Sequence, residues 1–289
     1  MIDLDVHAHL APINPVRLAE LAGVQWCEQE RVLQVDDNRV AIRDLFEPQR
    51  LIDWMDERDV RRALVSVPPP LYRQHLEPPQ ALAWVTYLNE ELSAICAAHP
   101  QRLGALHYLP MEHPDVLLQL VQAGIRHGVE GYTLAAGGHQ SILYSNQCYE
   151  PLWNTLNQDG SFVFLHPGKC CDGRLSRFYL ENLIGNPYET GVAAAHLVMA
   201  GVPARFSKLR FCLAHAGGVF PALVGRLQRG FDTSRPGVDV SVERPRDSAR
   251  RFYVDSIAHD ASNLRMVKDV VGADRILFGS DWPFPMGAD

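Results

Sequence analysis

The chain has 289 residues, 47% hydrophobic and 21% charged, a composition that buries a sizeable core and fits one large barrel or two small domains. Its 34 acidic and 27 basic residues give a formal net charge of −7, and no Lys/Arg run stands out, so neither nucleic acid nor an anionic membrane is an expected partner. No apolar stretch is long enough to span a bilayer and no leader pattern opens the sequence; the six cysteines (27, 96, 148, 170, 171 and 212) show no Cys-x-x-Cys spacing and read as reduced thiols of a cytoplasmic protein.

Strand and helix signals alternate along the chain. Candidate strands are Ile2–Val6, Ala63–Val67, Leu103–Tyr108, Val129–Leu134, Phe162–Leu165, Leu209–Ala214, Phe252–Ile257 and Arg275–Phe278. Between them helical spacing covers Gln49–Asp59, Pro79–His99, Pro114–Arg126, Asn146–Gln158, Leu175–Ala200, Gly218–Gly230 and Ala261–Val271. Helical crossovers between successive strands imply a parallel sheet with right-handed connections. Eight such units close most economically into an α/β (β/α)8 TIM-type barrel. A doubly wound open sheet is the alternative, but it more naturally carries a glycine-rich loop after the first strand, where His7-Ala8-His9 stands. Residues 11–47 interrupt the alternation with Val32–Val35, the turn-like Asp36-Asp37-Asn38 and Arg39–Ile42, which read as a β-hairpin inserted over the barrel mouth. A single domain over 1–289 is the expectation. The eighth strand is followed by only a few residues, so the final helix of such a barrel is expected to be absent.

Histidines one residue apart on a strand point to the same side, so His7 and His9 can offer ring nitrogens to one point. Three more candidates stand at the ends of later strand-like runs: His166 in FVFLHP, His215 in FCLAHAGG and Asp281 in ILFGSDWPFP. Each alone has an ordinary explanation as a capped or hydrogen-bonded strand end. Together they would converge at the mouth ringed by the C-terminal ends of the barrel strands. Imidazoles and a carboxylate suit a borderline divalent ion such as Zn²⁺. Three histidines and the carboxylate make a full tetrahedral set, and the fifth group is then free for acid–base work. No lysine occupies a strand end where it could bridge two ions, which favours a single one. His107 and His259 lie near strand ends as well, with a structural role the more economical reading.

The HAH, FLHPG, AHAGG and FGSDWPFPMG segments resemble the amidohydrolase superfamily, in particular its branch of metal-dependent decarboxylases, from residue 2 to the end. The resemblance implies one Zn²⁺ per chain, or Mn²⁺ or another divalent ion, held by His7, His9, His166 and Asp281. It places His215 as the acid–base histidine, working with Asp281, and implies a homodimer. Arg39 and Arg235 match positions that hold substrate carboxylates, Arg235 reaching into a neighbouring subunit's site; a planar guanidinium can grip a carboxylate through two hydrogen bonds. The sequence departs from the branch at Gly168-Lys169-Cys170-Cys171, at Asn38 and at Asn182, which stands where a pocket tryptophan is expected. Asn182 is therefore a candidate substrate contact in a more polar pocket.

The expected activity is a zinc-dependent, non-oxidative decarboxylation of a small unsaturated or aromatic carboxylic acid in a catabolic pathway. Metal-dependent hydrolysis of a C–O, C–N or C–C bond in a related carboxylated substrate is the alternative, and a non-catalytic barrel that keeps its metal for structure is the third.

Overall fold

The computed structural model describes residues 1–170 and 172–287; Cys171, Ala288 and Asp289 lie outside the described residues. The chain divides into two compact units, Met1–Tyr132 with Phe278–Asp289, and Thr133–Leu277. In chain order the first elements are β1 (Asp5–His9), α1 (Pro15–Leu18), β2 (Val24–Cys27), β3 (Val32–Val35), β4 (Asn38–Val40), α2 (Pro48–Glu57), β5 (Ala63–Ser66), α3 (Pro78–Ala98), β6 (Leu103–Leu109) and α4 (Pro114–His127). There follow β7 (Gly131–Ala136), α5 (Glu150–Asp159), β8 (Phe162–Pro167), α6 (Asn186–Met199), α7 (Val202–Arg205), β9 (Arg210–Leu213), α8 (Phe220–Asp232), α9 (Pro245–Ala249), β10 (Tyr253–Asp255), α10 (Ala261–Val271) and β11 (Ile276–Leu277).

An eight-stranded sheet takes its strands in chain order, β1-β5-β6-β7-β8-β9-β10-β11, and β2-β3-β4 form a separate antiparallel sheet. The pairs β1–β5 and β5–β6 in the first unit, and β8–β9, β9–β10 and β10–β11 in the second, are parallel. Strands covered on both faces read as continuous apolar runs rather than alternating ones, and every residue of β5, β6 and β8 is buried. Local chemistry marks the helix ends. Pro48, Pro78 and Pro114 open α2, α3 and α4, where the missing N–H costs nothing. Gly128 and Gly160 close α4 and α5 in the left-handed conformation. The Asp260 side chain accepts the Ser262 and Asn263 N–H groups at the start of α10.

In the first unit α3 packs on β6, and its Trp84, Tyr87, Leu88 and Leu92 are all buried. Buried Asn89 clamps the two elements: its amide donates to the Tyr108 carbonyl (2.9 Å) and its oxygen accepts the Tyr108 N–H (2.8 Å). His107 also turns towards the helices. Its Nε2 lies 2.7 Å from Ser93 Oγ of α3, and its ring lies 5.9 Å from that of His127 at the end of α4, so its role is structural. Burial, and then the charge of His127, push its pKa from 6.5 down to about 4. A histidine with a depressed folded-state pKa lends stability that is complete above 6.5 and is lost as pH falls towards 4. The loss amounts to about 3 kcal/mol at its limit. His107→Gln should therefore flatten the fall in urea midpoint between pH 7 and 4.5, and an equal fall in both proteins would contradict this.

Three local readings are corrected. The first strand is Asp5–His9, not Ile2–Val6: residues 5–9 are all buried and pair with β5, whereas Ile2 makes only an isolated bridge to Val60. The insertion is a three-stranded sheet rather than a hairpin, because Val24–Cys27 adds an outer strand whose Trp26 pairs with Leu33. Leu175–Ala200 is not one helix. Phe178 and Tyr179 take positive φ (59° and 60°), a π turn spans Glu181–Gly185, and α6 starts at Asn186. Pro187 accounts for the π turn, since it cannot donate into a continuing ladder and its ring crowds the carbonyl one turn back.

No helix among the described residues is long and apolar enough to cross a membrane, and Cys27, Cys96 and Cys212 are free thiols.

Candidate metal centre

In the first unit, β1 carries His7 and His9 on one face, and the segment after β11 returns Asp281 to them. The two elements are tied by backbone hydrogen bonds: Val6 N–H donates to Phe278 O (3.0 Å), Asp281 N–H to His7 O (2.7 Å) and His9 N–H to Trp282 O (2.9 Å). The buried carboxylate of Asp5 fastens the same junction, its Oδ1 accepting the N–H groups of His7 (2.9 Å) and Ser280 (3.0 Å). Burial raises the Asp5 pKa to about 6 against the opposing pull of those hydrogen bonds. Asp281 adopts a positive φ of 55°, a conformation that non-glycine residues take rarely and that Asp tolerates better than most.

The result is a tight triangle of ligand atoms. His7 Nε2 and His9 Nε2 are 3.1 Å apart, and Asp281 Oδ1 lies 3.2 Å from each. Ligand atoms about 2.0–2.2 Å from a shared ion are separated by roughly 2.9–3.5 Å in tetrahedral or octahedral sets, so these edges fit a metal. Both imidazoles are fully buried. Burial lowers the His9 pKa despite the opposing hydrogen bond from its ring to the Asp281 carboxylate, which favours the neutral ring that a ligand must be. Ser66 Oγ stands 3.2 Å from His9 Nδ1, the outer partner that fixes a ligand ring. The Phe284 ring covers His9 edge-on at 5.4 Å.

In the second unit, His166 lies inside β8 and is buried, with its Nδ1 3.1 Å from Pro167 O. The ring of half-buried His215, just after β9, meets it edge to face with centroids 5.4 Å apart. Two of five groups therefore sit together here and three in the first unit. Cys170 is buried and lines a cavity of about 310 Å³ with Glu189 and His196.

The substrate-binding candidates are placed differently. Arg39, on β4, is exposed and pairs with Glu30 across the inserted sheet at 2.5 Å. Arg235 is exposed beyond α8, and its Nη2 donates to Thr233 O at 3.4 Å. Asn182 is half-buried in the π turn before α6. One group escaped the sequence reading. Asp255, fully buried at the end of β10, accepts the backbone N–H groups of His215 and Ala216. It stands at a strand end like the ligands, but inside a run read only as strand.

Residues 4–289 match the model of the amidohydrolase family. A 2-amino-3-carboxymuconate-6-semialdehyde decarboxylase of Dictyostelium discoideum is 28% identical over 299 aligned residues, covering 99% of this chain and 83% of that protein. Among solved structures, 5-carboxyvanillate decarboxylase from Sphingomonas paucimobilis superposes with a TM-score of 0.80 at 18% identity over 98% of this chain and 89% of that one. A dihydroxybenzoic acid decarboxylase from Polaromonas sp. JS666, solved with bound manganese and 2-nitroresorcinol, gives 0.77 at 21% identity over 100% and 88%. The two structures share this chain's fold, the eight-stranded (β/α)8 barrel.

Proposed function

Since the chain belongs to the amidohydrolase family, we propose that it is a metal-dependent, non-oxidative decarboxylase of a small unsaturated or aromatic carboxylic acid. One observation carries the reading: buried His7, His9 and Asp281 set three ligand atoms 3.1–3.2 Å apart, and His166 is proposed as the fourth donor. Three imidazoles and one carboxylate are the donor set of a single divalent ion, with Zn²⁺ the proposed occupant and Mn²⁺ accepted by the same donors. The ion supplies Lewis-acid stabilisation of negative charge building on the substrate.

The chain's own groups do the rest. When the bond to the carboxyl carbon breaks, its electron pair stays on the substrate carbon, CO₂ departs, and that carbon must gain a proton. His215 is the proposed donor, with Asp281 as the carboxylate that shares the proton. Imidazole is the side chain most often used to pass a proton to a reacting atom. Arg39 is proposed to hold a substrate carboxylate by exchanging Glu30 for it, and Asn182 to present an amide to the substrate. Arg235, exposed beyond α8, is proposed to serve a partner subunit's site in a homodimer of a cytoplasmic enzyme. Light scattering that returns the mass of one chain would remove that role.

The test is to incubate the metal-loaded protein with a panel of hydroxybenzoates and unsaturated dicarboxylates and to measure CO₂ and organic products. Stoichiometric CO₂ with a single organic product is expected, and its absence from the His7→Ala/His9→Ala protein ties it to the site. Two organic fragments without CO₂ would identify a hydrolase instead.

A further inference from the structure

We propose that Asp255 is a positioning residue for His215, its carboxylate holding the His215–Ala216 backbone in the turn that sets the imidazole beside His166. The inference rests on the proposed proton-transfer role of His215. Directly after β9 the chain enters four consecutive residues with positive φ: His215 (53°), Ala216 (53°), Gly217 (79°) and Gly218 (58°). The two glycines adopt this freely, whereas a residue with a Cβ is disfavoured there, so the first half of the turn must be held from outside. Asp255 does this. Its Oδ2 accepts the His215 N–H at 2.8 Å, and its Oδ1 accepts those of Ala216 at 2.8 Å and Ile257 at 3.1 Å.

Asp255 is fully buried, and a buried carboxylate persists only where such donors satisfy it. The far side of the turn is fixed as well. A Cβ on Gly218 would fall 2.3 Å from the Pro187 carbonyl oxygen, so the turn backs closely onto α6. The imidazole is thus left with a side-chain rotation and little backbone freedom, the pre-organisation that proton transfer to carbon requires.

Asp255→Asn preserves shape but sets an NH₂ group against backbone donors, so one of the two anchoring hydrogen bonds is lost. In metal-loaded, ¹⁵N-histidine-labelled protein, the His215 imidazole resonances are expected to shift in D255N while those of His107 and His139 stay in place. Turnover is expected to fall about 10- to 100-fold, with KM and metal content as in the parent. In the His215→Asn background D255N should have no further effect on turnover. Unchanged His215 resonances overturn the proposal, as does a further loss of turnover in the His215→Asn protein. Should His215→Asn itself turn over normally, the proton-transfer reading fails, while the resonances still decide whether Asp255 positions the ring. If D255N alone does not fold, D255N/A216G serves in its place, since glycine at 216 relieves the positive φ without replacing the anchor to His215.

Discussion

His215→Asn is expected to lower turnover by about 10²- to 10⁴-fold, the usual worth of a positioned acid–base group, while the protein keeps its metal. The imidazole neighbours His166 with ring centroids 5.4 Å apart, but His215 is not one of the four proposed ligands. Removing it should therefore spare metal binding and strike only the proton that replaces CO₂. Asn keeps a polar side chain of similar reach but has no ionisation near neutral pH. The checking measurement is turnover per bound metal, with metal content determined on the same sample. Near-normal turnover at full metal content would remove His215 from the mechanism.

Asp281→Asn is expected to be more damaging, because it weakens metal binding and proton handling together. Asp281 Oδ1 lies 3.2 Å from both His7 Nε2 and His9 Nε2 and is the one anionic donor among the four proposed ligands. An amide oxygen carries no charge to set against a divalent ion. Losing an outer partner of a metal ligand already costs about 10- to 100-fold in affinity, so loss of the anionic ligand itself should exceed 100-fold in a chelator competition. The backbone argues against a collapse of the site: Asp281 N–H still donates to His7 O, and Asn tolerates the positive φ of position 281 as Asp does. A D281N protein that matches the parent in competition and turnover would contradict the assignment.

Most of what makes the site was legible in the residues. His7 and His9 share a side because the strand period is two, a property that survives the shift of the strand to Asp5–His9. Asp281 was readable as a polar residue closing an apolar run. What the sequence hid lies in tertiary pairing. Val24-Gln25-Trp26-Cys27 is only half-buried and becomes a strand because β3 is there to pair with it. Arg39 looked free, yet Glu30, nine residues earlier, comes against it once the inserted sheet forms. Asp255 acts through backbone N–H groups 39 and 40 residues away in sequence, and no residue pattern records such a contact. The break before α6 was visible in Pro187 and was outweighed by the helical spacing on either side of it.

Elemental analysis of the purified chain beside the His7→Ala/His9→Ala protein reads out whether one divalent ion is held by the buried histidines and Asp281. About one zinc or manganese per chain, absent from the double variant while its fold is retained, is the predicted result. No metal in a folded parent protein, or an equal amount in both, would contradict it.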